Sequence, residues 1–324
     1  MEYTTLGSTG MEVSQLCLGC MSFGSEEPWM LDEAESREII ERAIELGVNF
    51  FDTANAYSDG ESEAILGDVL AEYDRDEQVV ATKVRFPVGE EGPNAAGLSR
   101  KTIQQSLAGS LDRLGMDTID LYQTHRVDPS TPPETTLRAL DDAVREGKVR
   151  HVGTSSMWAH QLAERLRVSE REDLVTFETM QNHYHLAYRE EEREMLPLCA
   201  TEEMGVIPWG PLGQGFLTRP VEDLETTARG DPENFHNPTD EYERGGGREI
   251  NARVEELADD YGVTMAQIAL AWQYHNERVT APIVGTTSVE HLEDAVEALE
   301  IDLSDSDIEY LEAPYEPQPI VGHE

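Results

Sequence analysis

Asp52, Tyr57, Lys83 and His125 are the residues of this chain whose types and positions could do chemistry together. Each stands at or just beyond the end of a short apolar run. "NFFD" ends in Asp52, with Tyr57 following in "TANAY"; "VVATK" ends in Lys83; "IDLYQTH" ends in His125. Lys83 is the odd one, because a buried ammonium is costly unless something pairs with it. Asp52 could neutralise it and hold it in place. A phenol of pKa about 10 is a poor acid at neutral pH, but an adjacent ammonium stabilises its phenolate and lowers that value. Tyr57 beside Lys83 would then be a tuned proton donor, and His125 could hydrogen-bond a substrate oxygen next to the phenol. Such a set protonates a carbonyl oxygen while a separate donor delivers hydride to the carbon. A buried Tyr or His alone is ordinarily structural; four such groups at the ends of consecutive runs carry the expectation.

Those ends meet only if the runs are neighbouring strands. Strand-length runs recur at 13–19, 47–52, 78–83, 118–123, 149–154, 175–181, 205–209 and 280–284. Segments with helical spacing lie between them, among them "DEAESREIIERAIELG", "PPETTLRALDDAVREG" and "REEEREMLPLCATEEMG". In the first, Ala34, Ile39, Ile40, Ala43, Ile44 and Leu46 share a face opposite the acids. Eight such units predict an α/β fold, a closed (β/α)8 TIM barrel whose active residues gather at the C-terminal strand ends. "YTTLGSTGMEVS" predicts an N-terminal β-hairpin around Ser8-Thr9-Gly10, ahead of the first barrel strand. No compositional break appears, so residues 1–324 are expected to form a single domain. A long loop, 213–249, rich in Gly, Pro and Arg, follows the seventh strand. It reads equally as a lid or cofactor clasp and as a disordered insertion.

Composition narrows the function classes. The 324 residues hold 66 acids against 24 Lys and Arg, a formal net charge of −42, and only Lys83, Lys101 and Lys148 are lysines. Such charge repels itself unless salt screens it, which predicts a salt-adapted protein of the halophile type. The acids are spread along the chain, and nothing basic is extensive enough to neutralise phosphates, so nucleic acid is not expected as a partner. No apolar run approaches a membrane span and no leader is evident at the start, which leaves a cytoplasmic location. Three cysteines, Cys17, Cys20 and Cys199, fit a reducing compartment. "CLGC" falls in a strand, where positions i and i+3 face opposite sides, so packing is expected rather than redox or zinc chemistry. His183 and His185 in "HYH" share a strand face, but with no third ligand at clear spacing no metal site is assigned.

The sequence resembles an aldo-keto reductase over nearly its whole length. "FDTANAYSDGESEAILG" resembles the family's signature around its Asp and Tyr, "VVATKV" its lysine strand and "IDLYQTH" its histidine strand. "MQNHYHLAYREEEREMLPLC" and "GVIPWGPLGQGFLTR" are similar to the sixth- and seventh-strand segments of bacterial, fungal and archaeal members related to potassium-channel β-subunits. The resemblance implies a barrel that binds a nicotinamide dinucleotide without a Rossmann domain and reduces aldehydes and ketones with NADPH. It makes Tyr57 the proton donor, Lys83 the group that lowers its pKa, Asp52 the partner of Lys83 and His125 the residue that orients the carbonyl. It places Ser155 and Gln181 on the nicotinamide carboxamide, Trp209 against the ring, and the turn with Gly210, Pro211, Leu212 and Gly215 around the pyrophosphate. Gly285, Thr287 and His291 would hold the adenosine end.

This chain departs from the family pattern at three places that concern the cofactor. Position 210 is Gly where many relatives have Ser, Ser156 replaces a common Asn or Arg, and His291 and Ala295 replace a common Gln or Arg and then Asn. No arginine fork for a 2′-phosphate stands in that last segment; Arg219, Arg229, Arg244 or Arg248 of the long loop could substitute. NADPH is therefore implied by the resemblance, with NADH as the alternative. Two rival functions use the same residues. Lys83 could be a Schiff-base nucleophile, which would leave Trp209, Gln181 and 285–295 unexplained; or the chain could be a cofactor-binding regulatory subunit with slow turnover. The partner expected under the first reading is a small-molecule carbonyl substrate, with Trp29, Phe86 and Trp158 as candidate aromatic walls.

Overall fold

A computed structural model describes residues 1–24, 27, 29–89, 92–226 and 242–320. Eight parallel strands form one sheet: β3 (Cys17–Gly19), β4 (Phe50–Asp52), β5 (Val79–Val84), β6 (Ile119–Thr124), β7 (Val149–Ser155), β8 (Thr179–Gln181), β9 (Gly205–Val206) and β10 (Ile283–Gly285). They neighbour one another in chain order, with β10 pairing back onto β3. The remaining gap is bridged where Thr280 N donates to Val206 O at 2.8 Å and Ile283 N to Pro208 O at 2.8 Å, beside a Trp209–Ile283 bridge. The sheet is thereby closed as a barrel. All six residues of β5 and of β6 are buried, because one face meets the barrel interior and the other meets helices. That is why these strands read as near-continuous apolar runs.

The hairpin is β1 (Tyr3–Thr5) paired antiparallel with β2 (Glu12–Ser14). Its Leu6 and Val13 join Cys17, Phe50, Val79, Ala81, Leu121, Ile207 and Ile283 in a cluster that plugs the barrel interior. With that end filled by hydrocarbon, polar groups can project only at the opposite end. The expected strand 13–19 is two strands, because its partner changes: Gln15 N bonds Glu2 O in the hairpin, whereas Cys17 N bonds Pro282 O in the barrel. The second barrel strand begins at Phe50 rather than 47, since Val48 N still bonds Ala43 O in the turn that ends α1 (Glu33–Glu45).

Helices α2 (Glu61–Leu70), α3 (Arg100–Leu114), α4 (Pro133–Arg145) and α5 (Ala159–Glu172) follow β4 to β7 in turn. The acidic segment after β8 was expected as one helix. It is a 3-10 turn, Glu190–Glu192, and then α6 (Met195–Thr201). Pro197 lacks the N–H that an interior helical position must donate, so it fits only in the first turn of α6. Among the described residues four more helices follow: α7 (Gly247–Tyr261), α8 (Met265–His275), α9 (Val289–Glu297) and α10 (Asp305–Glu312). Among the described residues no helix is long and apolar enough to cross a membrane.

Candidate active site

Lys83 lies on β5 with its side chain wholly buried, at the end of the barrel away from the hairpin plug. Its ammonium donates to Asp52 Oδ1, to Thr53 O at 2.9 Å and to Tyr57 Oη at 3.0 Å. Asp52 is 2 % exposed, and its second oxygen accepts from Gln123 Nε2 at 2.9 Å and from Gln181 Nε2 at 2.8 Å. Register explains the convergence. Asp52 pairs with Ala81, two residues before Lys83; Lys83 pairs with Gln123; and Gln123 pairs with Gly153, two residues before Ser155, which pairs with Gln181, so the tilt of the barrel strands brings these staggered ends to one rim. Burial works against the ammonium, but Asp52 and then Tyr57 hold its pKa above the ordinary lysine value. Lys83 is therefore held as an ammonium.

Tyr57 opens a short turn in which Ser58 (φ 47°), Asp59 (φ 51°) and Gly60 (φ 94°) are all left-handed. Two of these are not glycine, a strained run of the kind that collects at functional sites. It is held by Ser58 Oγ donating to Phe23 O at 3.0 Å and Gly89 N donating to Asp59 Oδ1 at 3.0 Å. Burial pushes the Tyr57 phenol above its ordinary value, and Lys83 is the largest opposing influence. The expected net lowering is thus not what the geometry gives. Desolvation outweighs the ammonium, and the phenol is held protonated with a cation beside its oxygen. His125 follows β6 directly, its ring edge-on to Tyr57 at 5.8 Å and to Phe86 at 5.0 Å. Its Nδ1 is buried without a hydrogen-bond partner among the described residues. Burial first, then Lys83 and Arg126, hold its pKa well below the ordinary 6.5, so the ring is neutral.

The residues expected at the cofactor occupy the adjacent arc of the rim. Ser155 ends β7, and its hydroxyl donates to Gln181 O at 2.9 Å. Gln181 donates through its amide nitrogen to Asp52 Oδ2 at 2.8 Å, so it also enters the acid network. Trp209 stacks on His183 with centroids 4.0 Å apart and planes 21° apart, and its Nε1 donates to Ser156 Oγ at 3.0 Å. The His183 ring is itself stacked on Tyr188 at 4.8 Å and bonded to Tyr242 Oη at 2.7 Å. The "HYH" pair thus buttresses the indole. Among the described residues no three His, Cys, Asp or Glu side chains gather as a metal site.

Gly210 (φ +63°), Gly213 (φ +57°), Gln214 (φ +54°) and Gly215 (φ +102°) are the left-handed positions of the "GPLGQG" turn, and at 210 a Cβ would also meet His183 at 3.3 Å. Glycine at 210 is explained by that backbone. Pro211 is buried and Leu212 half-buried in the same turn. Gly285, Thr287 and His291 are exposed at the end of β10 and the start of α9, which Ser288 caps by accepting from His291 N at 3.2 Å. Ala295 is buried and faces the core.

Of the long loop, 227–241 and with it Arg229 lie outside the described residues. Its ends are anchored, since Asn251 Nδ2 donates to Phe216 O at 2.6 Å and to Arg219 O at 2.9 Å. Arg248 is engaged by Glu222 and Glu243. Of the aromatic walls, Phe86 lies against His125 and is 38 % exposed, Trp158 is 37 % exposed, and Trp29 is buried. Cys17 faces the inner cluster and Cys20 the outer one, both buried, as alternation on a strand requires.

Sequence reasoning missed Gln123 and Arg126. Gln123 had a signal: two residues from the interior Leu121, it had to point inward. Arg126 follows His125 directly, and nothing in its type or spacing separates it from a surface arginine.

Comparison with known proteins agrees with this geometry. Residues 15–316 match the model of the aldo/keto reductase family. A Schizosaccharomyces pombe protein provisionally named an aryl-alcohol dehydrogenase is 42 % identical, over 99 % of this chain and 97 % of its own. An aldo-keto reductase of Alternaria alternata is 40 % identical over 99 % of this chain and 93 % of its own. The versiconal hemiacetal acetate reductase of Aspergillus parasiticus is 38 % identical over 99 % and 98 %. The chain belongs to the aldo/keto reductase family, oxidoreductases that act on the carbonyl groups of small molecules.

Proposed function

We propose that this protein reduces aldehydes and ketones to alcohols with Tyr57 as the proton donor. The observation that carries this reading is the Lys83 ammonium, fully buried and 3.0 Å from the Tyr57 hydroxyl oxygen. As the phenol gives its proton to a carbonyl oxygen, negative charge develops on Tyr57. A fixed cation within hydrogen-bond distance stabilises that charge without solvent having to reorganise. Asp52 holds Lys83, and Gln123 and Gln181 hold Asp52. Neutral His125, its Nδ1 unpartnered, orients the carbonyl oxygen.

The residues fit a nicotinamide dinucleotide. Trp209 is an aromatic plane clamped by His183 and Ser156, the Gly210–Gly215 turn follows it, and Gly285, Thr287 and His291 are exposed at a helix start. When bound there, the cofactor supplies the hydride. NADPH is favoured by the family, and NADH is the competitor to test. Aromatic aldehydes are favoured by the Phe86 ring beside His125 and by the name of the fission-yeast relative. The whole chain, 1–324, works as one unit, in concentrated salt and in a reducing cytoplasm. Tyr57→Phe should lower kcat by at least about a hundredfold with little change in cofactor affinity. Steady-state reduction of benzaldehyde with each cofactor, at molar potassium chloride, measures both. An equal fall in cofactor binding would refute the role of Tyr57.

A further inference from the structure

We propose that Arg126 receives a carboxylate carried by the substrate, which makes carboxylate-bearing aromatic aldehydes the preferred class. The inference rests on the carbonyl-reduction reading and adds a specificity determinant to it. Arg126 sits at the rim directly after His125. One guanidinium nitrogen donates to His125 O at 2.7 Å and lies 3.4 Å from Ser155 Oγ, and its central carbon is 5.8 Å from the Trp209 ring. The cation is thus fixed between the proposed proton donor's neighbour and the aromatic plane. Only part of its five-proton fork is used.

Its charge is not answered by any carboxylate among the described residues. Arg75, Arg113, Arg138, Arg150 and Arg189 each reach a carboxylate at 2.6 to 2.9 Å. In a chain with 66 acids that is the ordinary fate of an arginine. No carboxylate among the described residues forms such a pair with Arg126. Asp128, close in sequence, and Asp52, in the same site, are otherwise engaged. Asp128, two positions on, accepts from Ser130 N at 3.0 Å, Ser130 Oγ at 2.6 Å, Thr131 Oγ1 at 2.7 Å and Leu98 N at 2.8 Å. Asp52 is taken up by Lys83, Gln123 and Gln181. A half-buried guanidinium kept clear of so many available acids is suited to an anion that arrives from solution, and its fork matches a carboxylate. On a surface of excess negative charge, such an isolated cation also gives an anionic substrate one favourable place to land. The carboxylate takes no part in the reduction; it fixes the distance and orientation of the aldehyde relative to Tyr57 and His125.

The test compares kcat/KM for 3- and 4-carboxybenzaldehyde with that for benzaldehyde, using NADPH at one fixed salt concentration. Wild type, Arg126→Leu and Arg126→Lys are measured, with melting temperature as the folding check. Wild type should prefer at least one carboxylated isomer by about tenfold or more. In Arg126→Leu that ratio should collapse toward one, chiefly through KM, and Arg126→Lys should restore part of it. A ratio that is unchanged in Arg126→Leu, or a loss shared equally by all three aldehydes, would overturn the proposal. So would a weakened dissociation constant for NADPH, since it would place Arg126 on the cofactor. Absence of turnover with every aldehyde, in a folded wild-type protein, would instead remove the carbonyl reading on which the proposal stands.

Discussion

Lys83 has three protons to donate and makes three hydrogen bonds, to Asp52, Thr53 and Tyr57. That full satisfaction is what allows an ammonium to stay charged inside a barrel, where an unpaired one would lose its proton. Asp52, Tyr57 and Lys83 were legible together because a buried ammonium needs partners and Asp52 and Tyr57 stand within reach, and His125 because it ends the neighbouring apolar run. The direction of the Tyr57 shift was not legible, because it depends on how completely the ring is desolvated, a tertiary property. His125 carries a pH consequence. Folded, its ring is held neutral to well below pH 6.5, while unfolded it binds a proton near that value. The unfolded state then holds more protons, so stability rises with pH up to about 6.5 and is lost on acidification below it. Protonation of carboxylates acts in parallel and complicates the total, so the contrast with a variant is what isolates the ring. Unfolding of wild type should take up about half a proton more than unfolding of His125→Asn at pH 6.5, rising toward one proton near pH 5. Denaturant midpoints of the two proteins across that range measure the difference, and parallel profiles would mean that the ring titrates normally in the folded state.

At the scale of elements, the sequence marked the barrel through its alternation of short buried runs and amphipathic helices, and all eight expected strands have a counterpart. Their limits were blurred wherever one continuous apolar run serves two partners. Residues 13–19 are the clear case, divided between hairpin and barrel at Gln15 and Leu16. What no periodicity could show is how closely helices approach. At Gly67 on α2 an added Cβ would lie 2.4 Å from Leu114 O and 2.7 Å from Leu114 Cα, where α3 ends. Both obstacles are backbone, so neither can swing aside. The same helix buries Glu63, which accepts from Thr82 Oγ1 on β5 at 2.5 Å and from Arg113 Nε on α3 at 2.7 Å. It also follows immediately on the Tyr57 turn. Gly67→Val should therefore separate α2 from α3, cost about 2–3 kcal/mol of stability, and lower kcat by displacing Tyr57. A chemical denaturation midpoint gives the first quantity and steady-state kinetics the second. Wild-type stability in this variant would contradict the close approach.

At the scale of the molecule, the site and the surface obey different electrostatics. Inside the barrel one cation and one carboxylate are matched, whereas over the whole chain 66 acids face 24 basic residues and leave a net charge of −42. Added salt screens two opposing things on that surface. It weakens exposed ion pairs such as Arg37–Glu72 and Arg138–Glu172, which contribute little to stability. It also weakens repulsion among acids that have no basic residue left to pair with, and those are in large excess. The Debye length falls from about 10 Å at 0.1 M to about 3 Å at 1 M, shorter than the spacing of most surface charges. Relief of repulsion should therefore win, and the folded state should gain stability with salt. Melting temperature is expected to climb continuously from dilute buffer to molar concentrations, with sodium and potassium chloride both effective. Activity lost in dilute buffer should return when salt is restored, because screening is reversible where aggregation is not. A melting temperature flat over that range would mean the acids are too dispersed to repel one another effectively. The buried Asp52–Lys83 pair would be unaffected either way, being beyond the reach of mobile ions.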